Sequence, residues 1–109
     1  MPATRERLRT KAKLFRGLAD LSRLGILEAL REGSKNVTQV VEATGLSQSN
    51  ASMHLNCLWC CGLVERRASG KFAYYSLISK RKVVALLMAG ESLLEDVHER
   101  IDECGNYGE

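Results

Sequence analysis

Several things are missing from this 109-residue chain. No apolar run approaches the ~20 residues that a membrane-crossing helix needs, so no membrane partner is expected. The N-terminus is basic and helical in pattern, without the apolar core of an export signal, which argues for a cytoplasmic protein. In a reducing cytoplasm, cysteines serve more often as metal ligands or redox sensors than as structural disulfides. There is no Ser-His-Asp set, no glycine phosphate loop and no paired general acid and base, so an enzyme is not expected. Repeats, linkers and low-complexity tracts are absent too. What remains, with 45% apolar residues, has the composition of an ordinary globular protein. Its length suits one domain, residues 1–109, with a modest core.

Net charge is small but unevenly spread. The net charge is +3. Residues 1–82 hold 15 Lys/Arg against 6 Asp/Glu, whereas residues 83–109 hold one, Arg100, against 7 acids. A basic body suits a polyanion, and an acidic tail would avoid one.

The chain is organised around LSQSNASMHLNCLWCCGL, Leu46 to Leu63. Ser47 is a good N-cap, with Asn50 as a weak capping-box partner. Gly62 is placed to end the helix in a left-handed conformation. At about 100° per residue, Ala51, Leu55, Leu58 and, less closely, Trp59 share a core side. Asn50, Met53, His54, Cys57, Cys60 and Cys61 fall opposite. Three of the four cysteines therefore lie off the apolar stripe. Cys57 and Cys61, or Cys57 and Cys60, are one turn apart and can chelate a single ion. Soft thiolates select soft or borderline metals. Cys57-Leu58-Trp59-Cys60 is also a C-x-x-C, but redox motifs of that kind start a helix rather than end it. A thiol redox or persulfide switch is the alternative.

Around this stretch the pattern is mainly helical. Residues 4–19 read as an amphipathic helix, with Leu8, Ala12, Phe15 and Ala19 as its stripe. Ser22 is expected to cap a second helix carrying Leu24, Ile26, Leu27 and Leu30, which Gly33 stops. Asn36 or Thr38 begins a short third helix, with Val37, Val40, Val41 and Ala43 inward, and Gly45 ends it. A short helix, a turn with Gly and a helix with a polar first half make a helix-turn-helix. Ser47, Gln48, Ser49, Asn50, Ser52 and His54 are candidate base-reading residues, because Gln and Asn can pair with adenine and Ser is permissive.

Leu63 to Ala68 and Phe72 to Leu77 read as strands joined by Ser69-Gly70-Lys71. A hairpin directly after the reader helix makes the fold a winged helix. Arg66, Arg67 and Lys71 put positive charge on the wing, where phosphates are gripped. Tyr74 and Tyr75 alternate, so one packs and one is freer. Ser79 to Cys104 reads as a long helix, on the order of 35 Å, capped by Ser79. Its stripe of Val83, Leu87, Leu94, Val97, Ile101 and Cys104 exceeds what a small domain needs, and a second copy would cover it. The expected fold is mainly α with a β-hairpin wing, dimeric through the first and last helices. Gly105 to Glu109 read as frayed.

The chain resembles the ArsR/SmtB family of bacterial metal-sensing repressors over nearly its whole length. The matching residues are Leu18-Ala19-Asp20, Ser22-Arg23, Ile26-Leu27, Leu46-Ser47-Gln48-Ser49, Ser52, His54-Leu55, Leu58, Gly62-Leu63-Val64, Gly70-Lys71 and Tyr74-Tyr75. The resemblance implies a homodimeric winged helix that holds operator DNA when metal-free and leaves it when metal arrives. Among the family's metal-site patterns, the cysteine-bearing third helix is missing, since Val37 to Ala43 has no Cys. Asp96-Val97-His98 matches only half of the zinc pattern, because no second His follows. The CmtR type, which senses cadmium and lead, has Cys-x-x-x-Cys in the reader helix and a Cys near the C-terminus. That resemblance implies Cys57, Cys61 and Cys104 as metal ligands, with Cys60 an alternate ligand or bystander. Cadmium or lead is then the expected inducer, with arsenite, mercury or zinc as other candidates.

Overall fold

The computed structural model describes residues 4–105. Residues 106–109, most of the stretch read as frayed, lie outside them. The elements are α1 (Arg5–Leu18), α2 (Leu21–Ala29), a 3-10 turn (Leu30–Glu32), α3 (Val37–Thr44), α4 (Gln48–Cys60), β1 (Val64–Ser69), β2 (Phe72–Leu77) and α5 (Lys80–Glu103). They fall into two compact units, residues 1–78 and residues 79–109.

In the first unit, each helix start has a side-chain acceptor. Thr4 Oγ1 accepts from Arg7 N at 3.1 Å, and Asn36 with Gln39 forms a reciprocal capping box at α3. The second helix departs from expectation. Asp20, not Ser22, is its cap, and its carboxylate Oδ2 accepts from Arg23 N at 3.0 Å. Asp20 is in extended conformation and the helix begins at Leu21, so Ser22 is already inside the first turn.

Ile26, Leu27 and Leu30 meet Val40 of α3 and Ala51, Leu55 and Leu58 of α4 in a fully buried cluster. Burying each Leu or Ile there contributes about 1.5–3 kcal/mol. A cap contributes about 1 kcal/mol. The apolar seam, more than the caps, therefore sets where α4 lies. On α3 only Val40 is buried; Val37 and Val41 are half-buried and Ala43 is exposed, so the inward face is narrower than its four apolar residues suggest.

The strands pair antiparallel from Val64 opposite Leu77 to Ser69 opposite Phe72. A two-residue turn, Gly70-Lys71, joins them, with Gly70 at φ 62°. Glycine at the first central position is what a II′ hairpin turn requires. Leu63, Val64, Tyr75 and Leu77 are buried, while Tyr74 is half-buried. Lys35 and Tyr75 exchange backbone bonds of 3.0 and 2.8 Å, which anchor the wing beside the start of α3.

The second unit is α5, a helix of 24 residues. Val83 and Leu87 are its buried residues, while Leu93, Leu94 and Ile101 are 61%, 38% and 41% exposed. Ser79 precedes it but does not cap it through its side chain. Its backbone is left-handed (φ 39°, ψ 56°), and Lys82 N and Val83 N bond to its carbonyl instead. No helix among the described residues is long and apolar enough to cross a membrane.

Candidate functional site

Gly45, left-handed at φ 75°, closes α3, and α4 begins three residues later. Ser47 Oγ accepts from Asn50 N at 3.1 Å, which fixes the start of the helix. Ser47, Gln48, Ser49, Asn50 and Ser52 are all exposed. The buried side, Ala51, Leu55 and Leu58, holds the helix while its polar N-terminal half stays free. This is the arrangement in which a helix enters a major groove N-terminus first.

His54 departs from the expected exposed face. It is partly buried, and its Nδ1 atom is enclosed without a hydrogen-bond partner. The reason is position: Ala51, His54 and Leu58 are spaced i, i+3, i+7, so His54 borders the buried stripe.

The far end of α4 closes with a Schellman motif. Leu63 N donates to Leu58 O at 2.9 Å and Gly62 N to Trp59 O at 3.0 Å, with Gly62 left-handed at φ 80°. Cys57, Cys60 and Cys61 are exposed on this end. Cys57 and Cys61 are a helical turn apart, and the Cys61 N–H donates to the Cys57 carbonyl at 3.0 Å. Two thiols so placed suit one soft ion, which would take a further donor to complete three-sulfur coordination. Among the described residues, no group of three His, Cys, Asp or Glu side chains stands ready to hold a metal. Cys104 is half-buried and caps the C-terminal end of α5, its N–H donating to Ile101 O at 3.1 Å.

Trp59, expected loosely on the core side, is 44% exposed. The Arg66 guanidinium lies over its ring, 4.8 Å from the centroid. That cation–π contact links the end of α4 to β1. With Arg67, Tyr74, Ser34 and Ser76 these residues line an open groove of about 780 Å³. Arg66 thus has a partner within the protein, while Arg67 and, at the wing tip, Lys71 are exposed. The sequence pattern gave no hint of this stacking, because it depends on how the hairpin folds back.

A second feature missed by pattern is the junction of α1 and α2. Arg23 Nε donates to Gly17 O at 2.9 Å and Nη2 to Arg16 O at 3.1 Å, tying off the end of α1. The Arg23 backbone N–H, followed by the charges of Arg23 and His54, holds the Asp20 carboxyl below its ordinary value of 3.8, against the opposing effect of desolvation. The spacing Asp-x-x-Arg before an apolar run was the available signal.

Comparison with known proteins gives this geometry a context. Residues 20–66 match the family described as "Bacterial regulatory protein, arsR family". The chain is 38% identical over 95 residues to a probable mercury resistance operon repressor of Streptomyces lividans, covering 87% of this chain and 75% of that protein. It is 41% identical over 75 residues to the HTH-type transcriptional regulator CmtR of Mycobacterium tuberculosis, covering 69% of this chain and 64% of that protein. The chain thus spans less than two thirds of that regulator's length. The NMR structure of CmtR, described as a cadmium metal-sensor, superposes with a TM-score of 0.60 at 41% identity over 69% of this chain and 78% of that one. The homodimeric winged helix-turn-helix DNA-binding domain of a possible ArsR-family regulator from Mycobacterium bovis superposes with a TM-score of 0.68 at 33% identity, over 90% of this chain and 93% of that one.

Proposed function

The chain belongs to the arsR family of bacterial regulatory proteins, and on that premise we propose that it is a metal-responsive transcriptional repressor. As a member of that family it is a transcriptional regulator with a winged helix-turn-helix, not an enzyme. In the proposed cycle the metal-free protein, a homodimer, binds double-stranded operator DNA, and cadmium or lead binding to its cysteines releases it. The observation that carries this reading is the division of labour along α4. Its first half presents Ser47, Gln48, Ser49, Asn50 and Ser52 to solvent, and its last turn presents Cys57 and Cys61. A ligand on the second half acts on the element that carries the first.

The assigned ligands are Cys57, Cys61 and Cys104, with Cys104 donated by the same or the partner chain. Soft metals fit an all-sulfur set, and loading it displaces thiol protons. The base-reading side chains are those of the first half. Arg67 and Lys71 grip phosphates, joined by Arg66 when it leaves Trp59. The domain is taken as one functional piece, 1–109, with α5 and α1 as the dimer surfaces: Leu8, Leu14 and Phe15 of α1 and Leu93, Leu94 and Ile101 of α5 are large apolar residues left exposed in the single chain.

The test is a titration of cadmium, lead, mercury, arsenite and zinc into reduced protein bound to operator. Sulfur-to-metal charge-transfer absorbance should rise in step with operator release for cadmium or lead. Mercury is the leading competitor, because of the Streptomyces relative. A second reading, a thiol redox or persulfide switch, is favoured by the exposure of both Cys57 and Cys60. Release by diamide but by no metal would move that reading to first place.

A further inference from the structure

Among the described residues, α4 exposes two large apolar side chains, Trp59 and Met53. Trp59 has the Arg66 guanidinium over its ring. Met53 is the more open of the two, at 53%. It belongs to the half of the helix that otherwise presents Ser47, Gln48, Ser49, Asn50 and Ser52 to solvent.

Its place on the helix decides which way it faces. The buried residues Ala51 and Leu55 are each two positions away, about 200° around the axis. Met53 therefore faces away from the seam that α4 forms with α2 and α3. Ser49 and Asn50, four and three residues earlier, are its neighbours on the helix surface. Helical side chains lean toward the N-terminus, so Met53 covers the turn that carries Ser49 and Asn50. That is the end of the helix which enters a groove first.

An apolar side chain among hydrogen-bonding ones adds nothing to the reading of polar base edges. It gains by leaving water against another apolar group. In the major groove the bases offer one such group, the 5-methyl of thymine. The Met side chain, unbranched and polarizable, adapts readily to a contact of that kind.

We infer that Met53 is a specificity-determining residue of the reader helix, and that it recognises the 5-methyl group of a thymine in each operator half-site. This role rests on the proposed function, in which the first half of α4 lies in the major groove. Ser49 and Asn50 read the hydrogen-bonding edges, and Met53 reads the one feature that those side chains do not distinguish.

Affinity is first compared on altered DNA with unaltered protein. A duplex is selected by the metal-free full chain from a randomised pool. Each thymine in turn is then replaced by deoxyuridine, which keeps every hydrogen-bonding group and removes only the methyl. At one thymine per half-site the wild type should lose about fourfold in affinity, the worth of one buried carbon. This comparison needs no variant to fold. Met53→Leu should keep the loss, whereas Met53→Ala and Met53→Gln should bind the thymine and deoxyuridine duplexes alike. If no deoxyuridine replacement weakens the wild type, or if Met53→Gln retains the full loss, the role of Met53 is overturned. A chain that selects no duplex brings down the proposed function itself. One that selects a duplex but ignores every methyl brings down only the assignment of Met53.

Discussion

Helices α1 and α4 are nearly equal in length and both are amphipathic, yet the chain treats them differently. Helix α4 buries Ala51, Leu55 and Leu58 completely. Helix α1 buries nothing, and its Leu8, Leu14 and Phe15 are 52%, 41% and 50% exposed. An apolar stripe read from sequence says that something will cover it, not what. For α4 the cover is the chain's own α2 and α3. For α1 we assign it to a second copy, which leaves the basic residues Arg5, Arg9, Lys13 and Arg16 on an adjacent side.

Charge placed on the α1 stripe should have the largest effect. Leu8→Asp with Phe15→Asp puts unpaired carboxylates in the proposed interface from both protomers, at a cost of about 3–5 kcal/mol each. Sedimentation should then show monomers at micromolar concentration where the wild type is dimeric, and tight operator binding should go with the dimer. A wild type that is itself monomeric would sink the assignment. Leu55→Ala or Leu58→Ala should cost about 2–5 kcal/mol in urea unfolding, because each leaves a cavity in a closed core. Leu8→Ala, by contrast, should lower stability only at protein concentrations where the dimer forms.

Much of this contrast is legible in the sequence, and each exception has its own physical cause. Gly45, Ser47 and Gly62 act through their own backbone and its nearest neighbours, so the bounds of α4 followed from them. The same holds for Gly70-Lys71 and the Phe72–Leu77 strand. Asp20 outcompetes Ser22 because the helix starts two residues earlier than the hydroxyl would need. Ser79 lost its capping role to a left-handed backbone. Sequence pattern alone makes His54 a candidate base reader and Arg66 a candidate phosphate contact. One borders the buried stripe with its Nδ1 enclosed, and the other is stacked on Trp59 because the hairpin folds back beside the end of α4.

Smaller effects sharpen the picture at the ends of the elements. Ser47→Ala removes the bond to Asn50 N and should cost about 1 kcal/mol of stability, with some loss of sequence preference as the polar turn frays. Asp20, held low chiefly by the Arg23 backbone N–H, contributes stability that is present above the ordinary carboxylate value of 3.8 and lost as the pH falls through its lowered folded-state value. Asp20→Asn should flatten the acid limb of the stability profile, and an unaltered limb would count against that bond. Lys71→Ala should weaken all DNA sequences alike and reduce the slope of log affinity against log salt by about 0.9.

The central claim is that one helix both reads DNA and receives the metal. It is tested most directly by operator affinity with and without cadmium in wild type, Cys57→Ser, Cys60→Ser and Cys61→Ser. Cadmium should weaken the wild type and Cys60→Ser by about 5–150-fold. Cys57→Ser and Cys61→Ser should bind operator as the metal-free wild type does and ignore cadmium. If Cys61→Ser stays fully inducible while Cys60→Ser does not respond, the site is the C-x-x-C pair and the assignment is wrong.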